Sequence, residues 1–270
     1  MPSHDPPQTF RWDPALYQKN SSAQQQWAEE LIAKLGLRGN ERVLDIGCGD
    51  GKVTAEIARR LSGGAVVGVD SSAEMIRFAS GQFPPHEYPY LSFAVMDAQA
   101  LTFCGEFDLV FSNAALHWVS DHRPVLAGIE RSLRRKGRLL VQMGGRGNAA
   151  QVFLALDVLK QESPWSRYFE GFTFTFGFFG TEEYQAWLRA ADLVPVRVEL
   201  IKKEMVHRRP EEFAGWVRTT WHPYLQRVPE ELHTRFIDAL YQQYCDLYPP
   251  DQEGAIRIGM VRLEVEAIKP

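Results

Sequence analysis

Short apolar runs alternate along the first half of the chain with segments whose apolar residues recur at helical spacing. Strands are predicted at residues 43–46, 65–69, 91–95, 107–111 and 138–143, and helices near residues 22–35, 53–61, 72–81 and 122–135. Strands that alternate with helices form a parallel sheet covered on both faces. Because right-handed crossovers bring the carboxyl ends of such strands to one edge, we expect the ligand site there.

The second half departs from this rhythm. Residues 165–179 are strongly aromatic, and Pro210 and Pro229 open predicted helices. Residues 194–200 and 261–267 alternate apolar and polar positions, which is typical of half-buried strands. We interpret the aromatic and helical parts as a substrate cap over the ligand edge.

The predicted organisation therefore has four parts. Residues 1–36 are a lid and a helix, and residues 37–160 are the cofactor-binding core. The substrate cap comprises residues 161–180 and 205–250. The C-terminal strands of the core sheet comprise residues 181–204 and 251–270.

Charge and composition narrow the class of partner. The chain has 30 Lys and Arg against 34 Asp and Glu, a net charge of −4, and 45% of its residues are hydrophobic. A globular, mildly acidic chain has no overall electrostatic attraction to nucleic acid or to an anionic membrane. We expect a small-molecule substrate and a monomer or homodimer. The 3 cysteines, the absence of an apolar spanning run and the polar, proline-broken N-terminus favour a reducing cytoplasm.

The segment VLDIGCGDG carries the strongest chemical signal. A strand leads into Gly47, Gly49 and Gly51, and a helix begins at once, as in nucleotide-binding turns. The dinucleotide fingerprint needs glycine at the sixth position, where this chain has Lys52, so an NAD oxidoreductase is disfavoured. Asp45 and Asp50 add negative charge. A pyrophosphate would be repelled, whereas a cationic nucleoside such as S-adenosylmethionine fits.

Acidic residues follow the next two strands. Asp70 ends the second strand 23 residues after Gly47, where a carboxylate can accept hydrogen bonds from ribose hydroxyls. Asp97 follows the third strand, where it would either accept from an adenine amino group or cap the next turn. The sequence leaves both roles open.

Taken together, VLDIGCGDG, VVGVDSSAEMI, MDAQAL and FDLVFSNAALHWV resemble the class I S-adenosylmethionine-dependent methyltransferases. The resemblance implies an α/β fold with a doubly wound, mostly parallel seven-stranded sheet and one antiparallel strand near its C-terminal edge. It also implies cofactor-binding roles along the strand ends, from the methionine portion through the ribose and adenine to the sulfonium. The residues are Asp45, Gly47, Cys48, Gly49, Asp70, Ser71, Met75, Asp97, Ala98, Asn113 and Ala114, with Tyr17 from the N-terminal segment.

A narrower resemblance concerns the methyl acceptor. NAALHWV, VQM, SPW and WVRTTWHPYL are similar to trans-aconitate methyltransferases, and LYQKNSSAQ with LHW is similar to insect juvenile hormone acid methyltransferases. Both families methylate a carboxylate oxygen, which implies that Gln24 and Trp118 hold the acceptor carboxylate. A carboxylate is ionised at pH 7 and needs no general base. His117 would be the base for an alcohol or phenol.

Alternatives remain at this stage. The acceptor atom could instead be nitrogen, carbon or a hydroxyl oxygen, and a non-catalytic S-adenosylmethionine sensor would carry the same motifs. Trp118 could simply be a core residue. We expect no metal site, since His117 and His122 have poor ligand spacing.

Overall fold

The computed structural model describes the backbone of residues 22–270 and the side chains from Trp27 onward. A 7-stranded sheet with the order β3-β2-β1-β4-β5-β7-β6 forms its centre. The strands are β1 Arg42–Ile46, β2 Ala65–Asp70, β3 Leu91–Val95, β4 Phe107–Asn113, β5 Leu133–Gly144, β6 Val194–His207 and β7 Ile256–Ile268. Strands β1 to β5 are parallel, and β7 runs antiparallel to both of its neighbours, β5 and β6. The predicted fold class is therefore confirmed.

The described helices alternate with the first strands and then form a separate group. They are α1 Ser22–Ala33, α2 Lys52–Arg59, α3 Ala73–Gln82, α4 Arg123–Ser132, α5 Ala150–Leu159, α6 Ser166–Phe169, α7 Thr181–Ala190, α8 Pro210–Thr220, α9 His222–Leu225 and α10 His233–Leu247. Short 3₁₀ turns lie at Ala98–Ala100, Leu116–Trp118 and Glu230–Leu232. Among residues 22–270, no helix combines the length and the apolar character that crossing a bilayer requires.

Alternate residues of the central strands supply two cores, one on each face of the sheet. Val43 packs with Leu31 of α1 and Ile57 of α2 on one face. Leu44 belongs to the opposite face, together with Leu126 of α4. Because both faces are covered by helices, the strands are buried on both sides, and this explains their continuous apolar sequence.

The helices of the second half build a third core that is rich in aromatic side chains. Most of its members come from α5, α6, α8, α9 and α10 or lie beside them, and they include Trp165, Phe169, Phe213, Trp216, Trp221, Tyr224 and Phe236. Phe153, Phe174 and Phe176 pack against it while remaining partly exposed. This aromatic core lies beside the carboxyl end of β5, since α5 follows directly after that strand.

Two element boundaries differ from the sequence prediction. The helix predicted to run to residue 135 ends at Ser132, because Lys136 takes a positive φ of 63° and the preceding residues join β5. Strand β6 continues to His207, beyond the residue 200 predicted, because β7 pairs with it along its whole length. Residues 205–207, which we expected in the cap, are therefore strand.

Candidate cofactor and acceptor site

The glycine loop joins β1 to α2 through left-handed backbone conformations. Gly47, Gly49 and Gly51 have φ angles of 74°, 54° and 80°. The N–H groups of Gly47 and Cys48 both donate to the carbonyl of Val69, at 2.7 and 3.0 Å, and these bonds tie the loop to β2. The positive φ angles explain why glycine occupies these positions.

The three glycines meet different surroundings. A Cβ atom on Gly47 would lie 2.1 Å from the Cβ of Ala115, and one on Gly51 would lie 2.8 Å from Phe93 Cζ. Around Gly49, in contrast, no atom of the described residues lies within 4 Å of that position. Gly47 and Gly51 therefore permit close packing, whereas the space beside Gly49 is open.

Asp70 is held in place by the loop and by the start of α3. Its Oδ2 accepts a hydrogen bond from the Gly49 N–H at 3.0 Å, and its Oδ1 accepts one from the Ser72 N–H at 2.9 Å. Burial raises the pKa of Asp70, while these two backbone hydrogen bonds lower it. Each carboxylate oxygen keeps a further lone pair, so the arrangement suits a ligand with adjacent hydroxyl groups.

Asp45 lies in β1, just before the glycine loop, and its carboxyl group accepts a hydrogen bond from a side chain of α2. Its side chain is 2% exposed, and the Thr54 hydroxyl donates to its Oδ2 at 2.7 Å. Burial, with a smaller contribution from the nearby charge of Asp70, raises the pKa of Asp45 to about 7, although the Thr54 hydrogen bond lowers it. A cation bound nearby would favour the ionised form of this carboxyl group.

Asp50 and Cys48 contribute less than the sequence indicated. The Asp50 carboxylate lies 3.5 Å from the Lys52 ammonium, which offsets the negative charge that we attributed to the loop. Burial raises the pKa of the Cys48 thiol well above its ordinary value, so the side chain is neutral. At Cys48 the backbone, rather than the thiol, is therefore the group suited to a cofactor.

The ends of β2 and β3 show how the predicted ribose and adenine residues are placed. Ser71 is exposed, whereas Met75 is 3% exposed and turned into the core. Ser72, which the sequence analysis missed, caps α3 by accepting from the Met75 N–H at 3.2 Å. Asp97 is exposed and caps the 3₁₀ turn that begins at Ala98, accepting from the Gln99 N–H at 2.9 Å. The capping role that the sequence left open for Asp97 is therefore present.

The chain bends sharply where β4 ends. Ala114 has a φ of 54°, which is uncommon for a residue with a side chain. Its N–H donates to the Gln142 carbonyl at 2.8 Å and fixes the bend against β5. Beside it, Asn113 Oδ1 is buried without a hydrogen-bond donor from the described residues. A buried acceptor of this kind suits a ligand that carries a donor, such as an ammonium group.

The bend leads into the 3₁₀ turn that carries His117 and Trp118. The Trp118 ring lies 5.1 Å from Phe176, and the His117 ring lies 5.9 Å from Phe178. Phe176 and Phe178 are stacked at 5.0 Å. These partly exposed rings form an aromatic wall next to the glycine loop, since Ala115 touches Gly47.

His117 is a neutral imidazole. Burial and the charge of Arg262 hold its pKa well below the ordinary value. The Gly144 N–H points at Nδ1 over 3.4 Å, so Nδ1 acts as the acceptor and the proton is assigned to Nε2. A histidine with so low a pKa is a weak base, but its Nε2–H is a hydrogen-bond donor.

Several residues at this end of the sheet were not found from the sequence. Arg262 of β7 is 3% exposed, and its guanidinium lies 5.3 Å from the Trp27 ring of α1. Gln142 donates to the buried Glu264 at 2.7 Å. Gln142 and Glu264 lie on the neighbouring strands β5 and β7. No local sequence motif predicts such a contact, because it is created by the pairing of strands that are distant in the sequence.

The remaining predicted residues fall at the boundary of the described chain. The backbone of Gln24 belongs to α1, but its side chain lies outside the described residues, and so does all of Tyr17. No group of three potential metal ligands occurs in the part of the chain that is described.

Comparison with known proteins agrees with this geometry. The sequence profile of the methyltransferase domain family matches residues 44–141. An uncharacterized methyltransferase of Schizosaccharomyces pombe is 32% identical over 81% of this chain and 84% of its own. A trans-aconitate 2-methyltransferase of Methylobacterium radiotolerans is 30% identical over 96% of this chain and 98% of its own.

The fold is shared with solved structures at lower identity. A phosphoethanolamine N-methyltransferase of Haemonchus contortus, solved with S-adenosylhomocysteine, gives a TM-score of 0.62 at 18% identity, covering 95% of this chain and 57% of that one.

This chain belongs to the class I S-adenosylmethionine-dependent methyltransferases, as its sheet order, its glycine loop and its relatives together establish. It is an enzyme that uses S-adenosylmethionine to methylate a small molecule.

Proposed function

We propose that the protein transfers the methyl group of S-adenosylmethionine to a carboxylate oxygen of a small organic acid. The observation that carries this proposal is the state of His117, a neutral imidazole with a lowered pKa that lies in the aromatic wall beside Phe178. The Nε2–H that we assign there suits an acceptor that is already ionised. The name of the Methylobacterium relative supports the same class of acceptor.

The cofactor side of the proposal follows the strand ends. The backbone at Gly47, Cys48 and Gly49 would lie along the methionine portion, and the carboxylate of Asp70 would accept from the ribose hydroxyls. Asn113 Oδ1, buried without a donor from the described residues, would accept from the methionine ammonium. Near adenine and ribose, we retain the predicted residues Asp97, Ala98, Ser71 and Met75.

Bound S-adenosylmethionine supplies an electrophilic methyl group on a cationic sulfonium. In the reaction a bond forms between that carbon and a carboxylate oxygen, the bond from carbon to sulfur breaks, and S-adenosylhomocysteine and a methyl ester result. No proton has to move. The protein is therefore required mainly to align the carboxylate and to exclude water.

The turn that follows β4, the N-terminal segment and the cap would together perform that alignment. Trp118 and His117 would each donate one hydrogen bond to the carboxylate, and Ala114 holds the bend that sets their position. Gln24 keeps its predicted role as a further donor, and Tyr17 its place at the cofactor. Residues 161–180 and the helices of 205–250 would form the cap over the acceptor.

Another nucleophile is a weaker proposal. A hydroxyl acceptor needs a base, and the lowered pKa of His117 makes its imidazole a poor one. Nitrogen or carbon acceptors have no dedicated group among the residues described above. A monomer or homodimer remains our expectation, and a reducing compartment suits the free thiols of Cys48, Cys104 and Cys245.

The test is a transfer assay with S-adenosylmethionine labelled in its methyl group and a panel of mono-, di- and tricarboxylic acids. The proposal expects labelled product with at least one acid, and complete release of the label as methanol under mild alkali. An authentic methyl ester and an authentic N-methyl compound serve as the two controls. Labelled product that survives the alkali treatment would overturn the carboxylate assignment.

A further inference from the structure

His122 is a fully buried histidine that lies behind the turn of His117 and Trp118. It immediately precedes α4, and its exposed fraction is 0%. Its Nε2 lies 2.8 Å from the Leu116 carbonyl oxygen and 3.1 Å from that of Val119. Carbonyl oxygens only accept hydrogen bonds, so Nε2 carries the proton.

Tyr184 of α7 completes the arrangement. Its hydroxyl lies 2.7 Å from His122 Nδ1 and donates to that nitrogen, because the ring proton is on Nε2. Tyr184 is also fully buried, and the Phe179 ring packs edge-on against His122 at 4.7 Å. The imidazole is thus fixed in one orientation and one tautomer.

The two carbonyls that His122 binds belong to the residues on either side of His117 and Trp118. The Val119 N–H donates to the Leu116 carbonyl at 2.9 Å and closes the turn. On its other side, the His117 carbonyl accepts from the Gly177 N–H at 2.9 Å. His122 therefore holds both ends of the turn from inside the protein, without facing the acceptor itself.

We propose that His122 and Tyr184 are positioning residues for methyl transfer, acting through the turn Leu116–Val119 to set the places of His117 and Trp118. The proposal rests on the acceptor role proposed for those two side chains. Displacement of a group that aligns the reactants by about 1 Å can cost about 100-fold in rate. The pair should therefore act on turnover and leave the cofactor-binding loop unaffected.

The test uses Tyr184→Phe, His122→Leu and His122→Gln, with Tyr244→Phe as the matched control. Tyr244 is also fully buried in α10, and its hydroxyl donates to the Arg257 carbonyl of β7 at 2.9 Å. Although α10 belongs to the proposed cap, the Tyr244 hydroxyl is not among the groups proposed to contact the acceptor or the cofactor. The measurements are kcat, the acceptor KM, the cofactor Kd by calorimetry and the midpoint of thermal unfolding. A two-dimensional NMR spectrum of the ¹⁵N-labelled histidine rings is recorded as well.

We expect Tyr184→Phe to lower kcat about tenfold, the equivalent of one hydrogen bond, and to leave the cofactor Kd within about twofold. His122→Leu should lower kcat by about 100-fold. His122→Gln should recover part of that loss, because its amide can still donate to the carbonyls. Tyr244→Phe should lower the unfolding midpoint similarly while kcat stays within about twofold. If His122→Leu does not fold, Tyr184→Phe and its control decide.

The NMR readout separates this proposal from the proposed acceptor. His117 ring resonances should move in Tyr184→Phe and stay in place in Tyr244→Phe, whichever nucleophile the enzyme methylates. Failure of the wild type to form any methyl ester would count against the carboxylate acceptor alone. Unmoved His117 resonances, or a loss of kcat no larger than in Tyr244→Phe, would overturn the positioning role.

Discussion

The cofactor side and the acceptor side of the site are built in different ways. At the ends of β1 and β2, the groups proposed to face the cofactor are main chain and carboxylate, fixed by hydrogen bonds such as that from the Gly49 N–H to Asp70. Beyond the end of β4, the groups proposed for the acceptor are aromatic and imidazole side chains. They are brought together from segments as distant as Trp118 and Phe176.

This contrast determines which substitutions each side of the site can tolerate. The backbone of the glycine loop tolerates few substitutions, because its positive φ angles favour glycine. The cofactor side is therefore the part of the site that can vary least. The aromatic wall depends on packing between separate elements, and a change in Phe176 or Phe178 would reshape it without touching the glycine loop. The following predictions separate the two sides, from the largest expected effect to the smallest.

The glycines of the loop should give the largest effects. Gly47→Ala places a Cβ atom 2.1 Å from that of Ala115 at a positive φ, and should lower the free energy of unfolding by about 3 kcal/mol. Gly49→Ala should cost only about 1 kcal/mol, because it meets only the φ penalty, yet should weaken cofactor binding by more than about 100-fold. Chemical denaturation and calorimetry measure the two quantities.

Gly36→Ala is the control for these glycine variants. Gly36 has a φ of 55° and no described atom within 4 Å of a Cβ position, so it carries the same backbone penalty away from the loop. Its cofactor affinity should equal that of the wild type. Cofactor binding that survives Gly49→Ala unchanged would contradict the placement of the ligand against this main chain.

Trp118 should affect turnover rather than cofactor affinity. Trp118→Ala removes the indole N–H and the ring that packs at 5.1 Å on Phe176, and should lower kcat by about 100-fold. The cofactor Kd should change by less than about threefold, because the loop is unaltered. Trp118→Phe keeps an aromatic ring, and its kcat should lie between those of the wild type and Trp118→Ala. The reverse pattern, a loss of cofactor affinity with normal turnover, would place Trp118 on the cofactor side.

Asp70 should show the opposite pattern. Asp70→Ala removes the carboxylate that we propose accepts from the ribose hydroxyls, and should weaken cofactor binding by about 1.5–3 kcal/mol. Asp97→Ala is the comparison. Because Asp97 is exposed, this substitution should weaken cofactor binding by less than about 1 kcal/mol. Calorimetric titration with S-adenosylhomocysteine measures both. Equal affinities in wild type and Asp70→Ala would remove Asp70 from the ribose site.

The smallest effect concerns pH. The folded-state pKa of Asp45, about 7, lies above that of an unfolded aspartate, so the resulting stability is present at acidic pH and is lost as pH rises through 7. Asp45→Asn should flatten that dependence. If the bound cation favours the ionised carboxyl, cofactor affinity should rise toward pH 7 in the wild type and stay flat in Asp45→Asn. A wild-type affinity that falls over the same range would refute the linkage.

The cofactor side was largely predictable from sequence because each of its parts is local. A strand followed by alternating glycines specifies the loop, and an acid at the end of the next strand specifies Asp70. The offset of Asp50 by Lys52 was missed, although both lie in the same loop, because charge counting ignores which side chains pair.

The acceptor side was predicted only in outline. The aromatic content of residues 165–179 indicated a cap, and LHW indicated Trp118, but nothing local reveals that Arg262 lies near His117. His122 was considered only as a metal ligand, whereas its partners are two backbone carbonyls and Tyr184. Such contacts depend on the packing of α7 against the sheet, which the periodicity of one helix does not specify.

Identifying the bond that the enzyme makes is the most direct test of the proposed reaction. S-adenosylmethionine with a ¹³C-labelled methyl group is incubated with the acid that gives the highest turnover, and the isolated product is examined by ¹³C NMR. We predict a methyl ester, whose methyl protons couple to the labelled carbon and correlate with a carboxyl carbon three bonds away. A labelled methyl group attached to nitrogen, to carbon or to an ether oxygen would contradict it.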